Sequence, residues 1–411
     1  MMNPYLIEIR LVGRIKHDII NIVKCVNNRF DINMHKMVPH ITMVGPFQTT
    51  DEQKLIKDFE SVCKKTPFIN YKINGIDLFS KSGVVYLDVA QNDELEKFRI
   101  AICDQLKAYC KLSFWDFQTP FKFHATVATR VDGFVLHDVL KYINSCKPLI
   151  YDVPLLRATL LKHGRMLCEF DFQLGRKLEK WERANFMQNR ESIVDYYESI
   201  NEDRKSKPRI FFTSDLHFND KFVIHNCNRP FSGTDTMNVA LLNNWNSEIT
   251  ENDTVYYLGD LAHKYTDEAT MNNIVSQLNG KIIFIKGNDD KAGSMLLSAH
   301  NEYEIKVGGQ KFFLIHDPQY TPDDVIADET VWTIHGHKQN RQLDKYPFIN
   351  REARTINVSL DVTCYRPVSL DEILATMKSE PKLGERELMA LDDRTCMFRT
   401  SSKTVNRAIV G

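Results

Sequence analysis

Five short apolar runs in the second half of the chain each stop at Asp, His or Asn, and this pattern constrains the fold more than any other feature. The runs read RIFFTSDLH, TVYYLGD, KIIFIKGND, KFFLIHD and VWTIHGH. Continuous apolar runs of this length are typical of strands that are buried on both faces. Polar residues that begin where such strands stop indicate an α/β sheet with its site along one edge. The sequence therefore predicts a site of Asp, His and Asn side chains in this half.

The first 175 residues show shorter strands that alternate with helices. Strand patterns read YLIEIRLVG, PHITMVGPF, VVYLDVA, FHATVAT and RMLCEFDF, and helical patterns read KHDIINIVKCVNNRF and DELEKFRIAICDQLKAYC. The stretch from Lys177 to Lys207 is charged and has no Gly or Pro, which favours a helix that frays into a linker. We therefore predict a domain at 1–175, a helical linker at 176–207, a second domain at 208–380 and a C-terminal tail at 381–411.

Composition narrows the function classes. A chain of 411 residues with 43% hydrophobic and 26% charged residues is typical of a soluble protein with two full cores. The formal net charge of −1 argues against a strongly basic nucleic-acid-binding protein, so any such contact is expected to be local. Nine cysteines without a C-x-x-C pair favour reduced thiols. With no signal peptide or membrane span in the sequence, we expect a cytoplasmic location in a cell or virus-infected host, no membrane partner, and an oligomeric state that stays open.

Two H-x-T triplets stand out in the front half, His40-Ile41-Thr42 and His124-Ala125-Thr126. In a strand, residues two apart face the same side, so two such strands side by side would present two imidazoles and two hydroxyls to one cleft. One imidazole can act as general base and the other as general acid on a 2′,3′-cyclic phosphate or a related phosphodiester. The threonines would hold the non-bridging oxygens, and this chemistry requires no metal. Either triplet alone could arise by chance among 13 histidines, but the pair lies within apolar runs.

The stretches VPHITMVGPF and FKFHATVATR resemble the two signatures of the 2H phosphoesterases, the family of LigT-type RNA ligase and cyclic phosphodiesterase proteins. The resemblance covers about residues 1–175. It implies a bilobal fold with two pseudo-symmetric lobes around a central cleft. It also implies that the catalytic residues are His40, Thr42, His124 and Thr126, and that this domain uses no cofactor.

The polar residues that follow the five apolar runs suit a two-metal centre, because one Asp can bridge two cations with His and Asn on either side. Their order resembles the calcineurin-like metallophosphoesterases over about residues 208–380. The resemblance implies an αββα sandwich and two divalent ions, for which Mn, Fe and Zn stay open. It implies that the metal ligands are Asp215, His217, Asp260, Asn288, His316 and His337. Arg229 is interpreted as a phosphate contact, with a structural role as the alternative.

The sequence departs from the metallophosphoesterase pattern at two positions. The last motif has Gln339 where the family has His, so a cation there would be held more loosely, or by three protein groups and water. The motif KGNDDK has Asp289 where the family has the His that serves as acid or charge stabiliser at the leaving oxygen. Asp289 would help in this catalytic position only if it is protonated, hydrogen-bonded away, or facing a substrate with less charge. His263 and His225 are candidates to replace the missing His.

Together these features predict a bifunctional phosphoesterase. The front domain would open a 2′,3′-cyclic phosphate, and the back domain would remove or cleave the resulting phosphoester, with RNA ends, nucleotides or cyclic nucleotides as substrates. Three alternatives stay open: degradation of cyclic oligonucleotide signals, processing of ADP-ribose cyclic phosphate, and a nucleotide- or nucleic-acid-binding module with a weakly active metal domain.

Overall fold

The computed structural model describes residues 4–32, 38–79, 82–129, 133–183, 207–290 and 299–379. The chain divides into two compact units. The first comprises residues 1–23, 33–133 and 149–206, and the second comprises residues 24–32, 134–148 and 207–411. The second unit thus includes two segments that the sequence assigned to the front domain. Most of the predicted linker (184–206) and the predicted tail (381–411) lie outside the described residues.

The first unit is built on one antiparallel sheet with helices between its strands. The strands are β1 Tyr5–Arg10, β2 His40–Thr49, β3 Asn70–Phe79, β4 Val84–Val89, β5 Cys110–Lys111, β6 His124–Ala128, β7 Ile150–Pro154, β8 Arg157–Lys162, β9 Arg165–Asp171 and β10 Arg176–Lys177. The helices in this part of the chain are α1 Gly13–Phe30, α2 Glu52–Lys65, α3 Asp93–Leu106, α4 Gly133–Ser145 and α5 Lys180–Arg183. The strand order is β10-β9-β8-β1-β2-β6-β4-β3-β7, and β5 pairs with the end of β2.

Alternation of apolar and polar residues gives the central strands one buried face and one open face. In β2, Ile41 and Met43 are buried whereas the residues between them are partly exposed. In β6, Ala125 and Val127 are buried in the same way. Both strands were predicted, as were β1, β4, β9, α1 and α3, and all are confirmed. The open face of β2 and β6 is where the H-x-T side chains lie.

The second unit contains two sheets. Its strands are β11 Ile210–Thr213, β12 Thr254–Leu258, β13 Lys281–Ile285, β14 Glu302–Val307, β15 Gln310–Ile315, β16 Val331–His335, β17 Ile349–Asn350, β18 Thr355–Asn357 and β19 Val368–Ser369. Its helices after residue 207 are α6 Lys221–Asn226, α7 Thr234–Glu248, α8 Glu268–Ser276, α9 Asp323–Ala327 and α10 Leu370–Lys378. The sheet orders are β13-β12-β11-β19 and β14-β15-β16-β18-β17.

All five predicted apolar strands exist, and they belong to two sheets. The apolar runs by themselves predicted one sheet, whereas the resemblance to metallophosphoesterases implied a sandwich of two. β11, β12 and β13 run parallel in the first sheet, and β15 and β16 run parallel in the second. One apolar core joins the sheets, with Phe212, Leu258 and Ile285 on one side and Leu314 and Ile334 on the other. Burial on this shared core explains why the runs are continuously apolar. The protein is therefore a two-domain chain of mixed α and β structure.

Two further properties follow from the described residues. None of the helices among them is long and apolar enough to cross a membrane. The eight cysteines they include are buried free thiols.

Candidate active sites

The two H-x-T triplets lie on neighbouring antiparallel strands of the first unit. Ile41 of β2 is paired with Ala125 of β6, and both side chains are buried in the core. The residues on either side of this pair must therefore project from the opposite face of the sheet. In this register a His of one strand lies across from the Thr of the other. The structure thus brings together, half-buried on one face, all four predicted residues: His40, Thr42, His124 and Thr126.

Each imidazole is oriented by a hydrogen bond from Nδ1 to the carbonyl oxygen two residues earlier in the chain. Nδ1 of His40 lies 2.8 Å from the carbonyl oxygen of Val38, and Nδ1 of His124 lies 3.0 Å from that of Lys122. A carbonyl oxygen can only accept, so each Nδ1 carries the hydrogen and donates it. Nε2 is then the nitrogen left to take or give a proton on the open face of each ring.

The two histidines have different neighbours. Nε2 of His40 lies 3.7 Å from a carboxylate oxygen of Glu8, which is buried on β1. His124 instead meets the rings of Phe79 and Tyr86 edge to face, with centroids 5.1 and 5.3 Å away. Sequence reasoning missed these three neighbours, because they come from other strands and only the sheet order brings them to the triplets.

The predicted metal ligands of the second unit lie just beyond the carboxyl ends of β11, β12, β13, β15 and β16. Two groups of ligand atoms form there, Asp215 with His217 and Asp260, and Asp260 with His316 and His337. Within each group the atoms all lie within 4.8 Å of one another. Asp260 belongs to both groups, which is the position that a bridging ligand requires.

Asn288 joins the second of these groups. Its amide oxygen lies 3.1 Å from Nε2 of His316, and the same Nε2 lies 3.3 Å from the Asp260 carboxylate. Nδ1 of His316 donates to the carbonyl oxygen of Leu258 at 2.6 Å, so Nε2 is turned toward the group. All six predicted ligands therefore converge on one region, with Asp260 at its centre.

The charges at this site fit divalent cations. Burial would lower the pKa of His316, but the hydrogen bond with Asp260 and the charge of Asp215 raise it to about 9. Burial would raise the pKa of Asp215, but His217 and His316 hold it below its ordinary value. The Asp215 carboxylate is therefore ionised, and the protonated His316 imidazole contributes a compensating positive charge. A set of carboxylate, imidazole and amide oxygen donors suits Mn, Fe or Zn, and such ions would take over the role of that proton.

Glycines allow the ligand loops to approach one another closely. A Cβ on Gly287 would collide with the carboxylate and amide of Asp260, and a Cβ on Gly336 would collide with the Ser214 hydroxyl. A Cβ on Gly259 would lie 2.5 Å from Nδ1 of His316. This packing explains why a glycine directly precedes the ligand in three of the five motifs.

Several residues of the ligand loops have the left-handed backbone conformation, which residues other than glycine rarely adopt. Positive φ angles of 50–65° occur at five residues of the site: Asp215, His217, Asp260, His337 and Gln339. Each such residue costs about 1–3 kcal/mol, and such strain clusters at functional sites. The surrounding hydrogen bonds must therefore hold these loops in place.

Asp290 makes some of the hydrogen bonds that hold the ligand loops in place. Its buried carboxylate accepts hydrogen bonds from the backbone N–H groups of Asp260, Leu261 and Gly287, at 2.8–3.0 Å. It thereby joins the loop after β12 to the loop after β13. On the other side, Asp215 accepts from the Ser359 hydroxyl at 2.8 Å. Sequence reasoning gave neither of these supporting roles.

Gln339 lies between Cys227 and His217. Its amide oxygen is 2.8 Å from the Cys227 thiol, and its amide nitrogen is 2.9 Å from Nε2 of His217. The carbonyl that a cation would need is therefore turned toward the thiol. This arrangement leaves three protein groups, Asp215, His217 and Asp260, for the first cation.

Asp289 occupies the position of the missing histidine next to the second group of ligand atoms. Its backbone N–H donates to Asp260 at 2.9 Å, and its carboxylate accepts from the Asn288 amide at 3.1 Å. This hydrogen bond is to the adjacent residue of the same loop, so a role for Asp289 at the leaving oxygen stays a prediction. Of the two possible replacements, His263 lies three residues beyond Asp260, and His225 is exposed on α6.

The prediction of a phosphate contact for Arg229 needs correction. Its guanidinium is fully buried, with both ends held by the Asp361 carboxylate at 2.9 Å. It also donates to the carbonyl oxygens of Leu216 and Asp215 at 2.9 and 2.7 Å. With its hydrogen bonds made inside the protein, Arg229 fixes the loop that carries Asp215. The structural role is the one that the structure supports.

Two protein families match the chain, each over one part. The 2′-5′ RNA ligase superfamily matches residues 11–165, and the calcineurin-like phosphoesterase family matches residues 208–383. Among curated proteins, "Uncharacterized protein MJ1445" of Methanocaldococcus jannaschii is 41% identical over 169 residues, which are 41% of this chain and 91% of that protein. "Putative phosphoesterase GK0864" of Geobacillus kaustophilus is 35% identical over 72 residues, which are 17% of this chain and 42% of that protein.

Solved structures give a weaker likeness. The AQ665 protein of Aquifex aeolicus is 24% identical with a TM-score of 0.34, over 41% of this chain and 100% of that one. LigT of E. coli in complex with 3′-AMP is 14% identical with a TM-score of 0.28, over 42% of this chain and 98% of that one. TM-scores this low support no conclusion about the present chain. The two family matches support one: the chain belongs to the 2′-5′ RNA ligase (2H) superfamily through its N-terminal domain and to the calcineurin-like phosphoesterases through its C-terminal domain.

Proposed function

We propose that this protein hydrolyses phosphoesters at two separate centres. The N-terminal centre opens 2′,3′-cyclic phosphates or related phosphodiesters without a metal. The C-terminal centre is metal-dependent and removes or cleaves the phosphoester that results. RNA ends or the nucleotides derived from them are the proposed substrates, because ring opening leaves a phosphomonoester and metallophosphoesterases act on phosphoesters of that kind.

The observation that carries the proposal is the register of β2 and β6. Pairing of Ile41 with Ala125 puts both H-x-T triplets on one face, and each His is held through Nδ1. Two imidazoles on one face, each with its Nδ1 occupied and its Nε2 left to exchange a proton, are the arrangement that paired acid–base catalysis needs.

In the N-terminal centre, the neutral imidazole accepts a proton at Nε2 from the attacking water. The protonated imidazole donates a proton from Nε2 to the leaving ribose oxygen. The hydroxyls of Thr42 and Thr126 donate to the non-bridging oxygens. Phosphate charge is thereby stabilised by the hydroxyl hydrogen bonds and by the protonated imidazole.

In the C-terminal centre, divalent cations on the Asp260-centred groups would supply Lewis-acid activation of water and phosphate. The chain itself provides the donors and their rigid spacing. Asp290 holds two ligand loops together, and Arg229 fixes a third. Asp289 adds negative charge near the position of the leaving group, which disfavours a dianionic monoester relative to a monoanionic diester.

A panel of phosphoesters assayed with and without chelator tests the proposal. The panel contains 2′,3′-cyclic nucleotides, RNA ends with a 2′- or 3′-phosphate, cyclic dinucleotides and a chromogenic diester. We expect opening of 2′,3′-cyclic nucleotides to survive the chelator and to fall by about 10²-fold or more in His40→Ala and in His124→Ala. We expect turnover of the esters that are not cyclic to stop in chelator and to return with Mn²⁺.

Two results would contradict the proposal. Loss of ring opening in chelator would refute a metal-free N-terminal centre. Rapid hydrolysis of cyclic dinucleotides without action on 2′,3′-cyclic nucleotides would favour the alternative role in degrading cyclic oligonucleotide signals.

A further inference from the structure

We propose that Phe222, His263 and Tyr265 form a nucleobase-binding subsite beside the metal-ligand loops. This inference rests on the proposed function of the C-terminal domain and specifies the substrate class for that domain. The three side chains are called the aromatic subsite below. The ligand that its chemistry fits is a nucleotide, whose base stacks on the rings while its phosphate reaches the Asp260-centred groups.

The rings of the aromatic subsite are close to one another and open to solvent. Phe222 is 58% exposed and Tyr265 is 72% exposed. The rings of Phe222 and His263 are nearly parallel, at an angle of 26° and a centroid distance of 6.4 Å. The rings of His263 and Tyr265 meet at 62° and 5.3 Å. Large exposed rings in one cluster are uncommon away from binding surfaces, and planar bases stack on such rings.

The subsite is fixed relative to the metal ligands by backbone contacts. His263 follows the ligand Asp260 by three residues, and Phe222 follows the ligand His217 by five. Phe218 and Ala262 form an isolated parallel bridge between these two segments. The backbone N–H of His263 donates to the carbonyl oxygen of Phe218 at 2.8 Å. His263 and Tyr265 therefore lie on the loop that carries Asp260, and Phe222 lies in the first turn of α6, which directly follows the loop that carries His217. Attachment to these two ligand segments favours binding without a further ordering step.

Charge at the subsite suits a nucleotide rather than a neutral apolar partner. Lys221 places its ammonium group 5.4 Å from the centre of the Phe222 ring, and Lys264 places its own 5.3 Å from that of Tyr265. Two of the three rings, those of Phe222 and Tyr265, thus have a cation beside them. Rings interleaved with lysines are typical of surfaces that bind an aromatic anion. An aliphatic peptide would leave these cations without a counter-charge.

The direct test is calorimetric titration of the full-length chain with AMP and with ribose 5-phosphate, which lacks the base. Ca²⁺ replaces Mn²⁺ so that neither phosphomonoester is hydrolysed during the titration. The test variant is Phe222→Leu/Tyr265→Leu, which removes both exposed rings but keeps apolar side chains. The matched control is Phe222→Tyr/Tyr265→Phe, which keeps both rings. Ile326→Ala, on α9, changes an apolar side chain of similar exposure (57%) elsewhere in the same unit.

We expect the native chain to bind AMP at least about tenfold more tightly than ribose 5-phosphate, since stacking on an aromatic ring contributes on that order. The Leu variant should bind AMP as weakly as ribose 5-phosphate and bind ribose 5-phosphate unchanged. The ring-conserving and Ile326→Ala variants should behave like the native chain. Equal affinities for the two ligands in the native chain, or undiminished AMP binding by the Leu variant, would overturn the subsite.

A separate measurement distinguishes this failure from failure of the proposed function. Glycerol phosphate has no base, so its Mn²⁺-dependent hydrolysis depends on the metal centre alone. If glycerol phosphate is hydrolysed but the affinity for AMP is unchanged when both rings are removed, the proposed subsite is wrong and the proposed function stands. If AMP binds through the rings but neither glycerol phosphate nor the esters of the panel that are not cyclic are hydrolysed in Mn²⁺, the hydrolytic function of this domain is wrong and the subsite stands.

Discussion

Replacement of Arg229 by Met decides whether this residue faces substrate or supports the fold. The structure predicts a large loss of stability, because Arg229 and Asp361 form an ion pair in which both side chains are fully buried. Loss of one partner from such a pair costs about 3–5 kcal/mol. The carbonyl oxygens of Leu216 and Asp215 would also lose a donor, at about 1–3 kcal/mol each. We therefore expect the free energy of unfolding of the second unit to fall by about 5 kcal/mol or more.

Differential scanning calorimetry of the full-length chain measures this change. A loss of 5 kcal/mol in a unit of this size lowers its Tm by about 10 °C or more. The double variant Arg229→Met/Asp361→Leu should recover the part of the loss that comes from the unpaired carboxylate. Lys311→Met removes one partner of an exposed pair with Asp328 in the same unit and should leave the transition unchanged. An unchanged Tm in Arg229→Met together with a raised KM would refute the structural role and restore the phosphate contact.

Four further predictions concern the metal centre. Asp260→Asn should deplete metal from both positions whereas His337→Ala should mainly weaken one, and elemental analysis that finds full metal in Asp260→Asn would refute the bridging assignment. Metal affinity should fall as the pH drops below about 9, because a cation must displace the proton that His316 holds. Potentiometric or competition titration should show that the metal affinity falls by up to about tenfold for each pH unit. In the metal-free chain the stabilisation from this raised pKa is complete below about pH 6.5 and is lost as the pH rises through about 9, so thermal unfolding there should move to lower temperature. Asp289→His should raise monoesterase relative to diesterase activity at unchanged metal content, and a loss of monoesterase activity would mean that Asp289 itself takes part.

Local sequence patterns were sufficient to predict the strands that carry the site. β2 and β6 alternate clearly, and β11, β12, β13, β15 and β16 are short and apolar, so their period and length identify them. The H-x-T triplets and the order of Asp, His and Asn were visible for the same reason. The assignment of five strands to two sheets was not visible in the strands themselves, because a strand buried on both faces has the same composition in either sheet.

Contacts between residues distant in sequence could not be predicted. Arg229 and Asp361 are separated by 132 residues, and an arginine in a loop has the same local sequence whether it meets a phosphate or a buried carboxylate. Glu8 reaches His40 only because β1 and β2 are neighbours in the sheet. The thiol that holds Gln339 comes from Cys227, 112 residues away. Such supporting contacts depend on topology and register, which single-sequence patterns leave open.

Two independent phosphoesterase centres on one chain should lose activity separately, and a crossed assay of two variants measures this. His124→Ala and Asp260→Asn are each assayed in Mn²⁺ on a 2′,3′-cyclic nucleotide and on a chromogenic phosphodiester without a ribose. We expect a crossed result: His124→Ala loses ring opening by about 10²-fold and keeps hydrolysis of the chromogenic ester, and Asp260→Asn does the reverse. Loss of both activities in either variant, or loss of ring opening in Asp260→Asn alone, would contradict it.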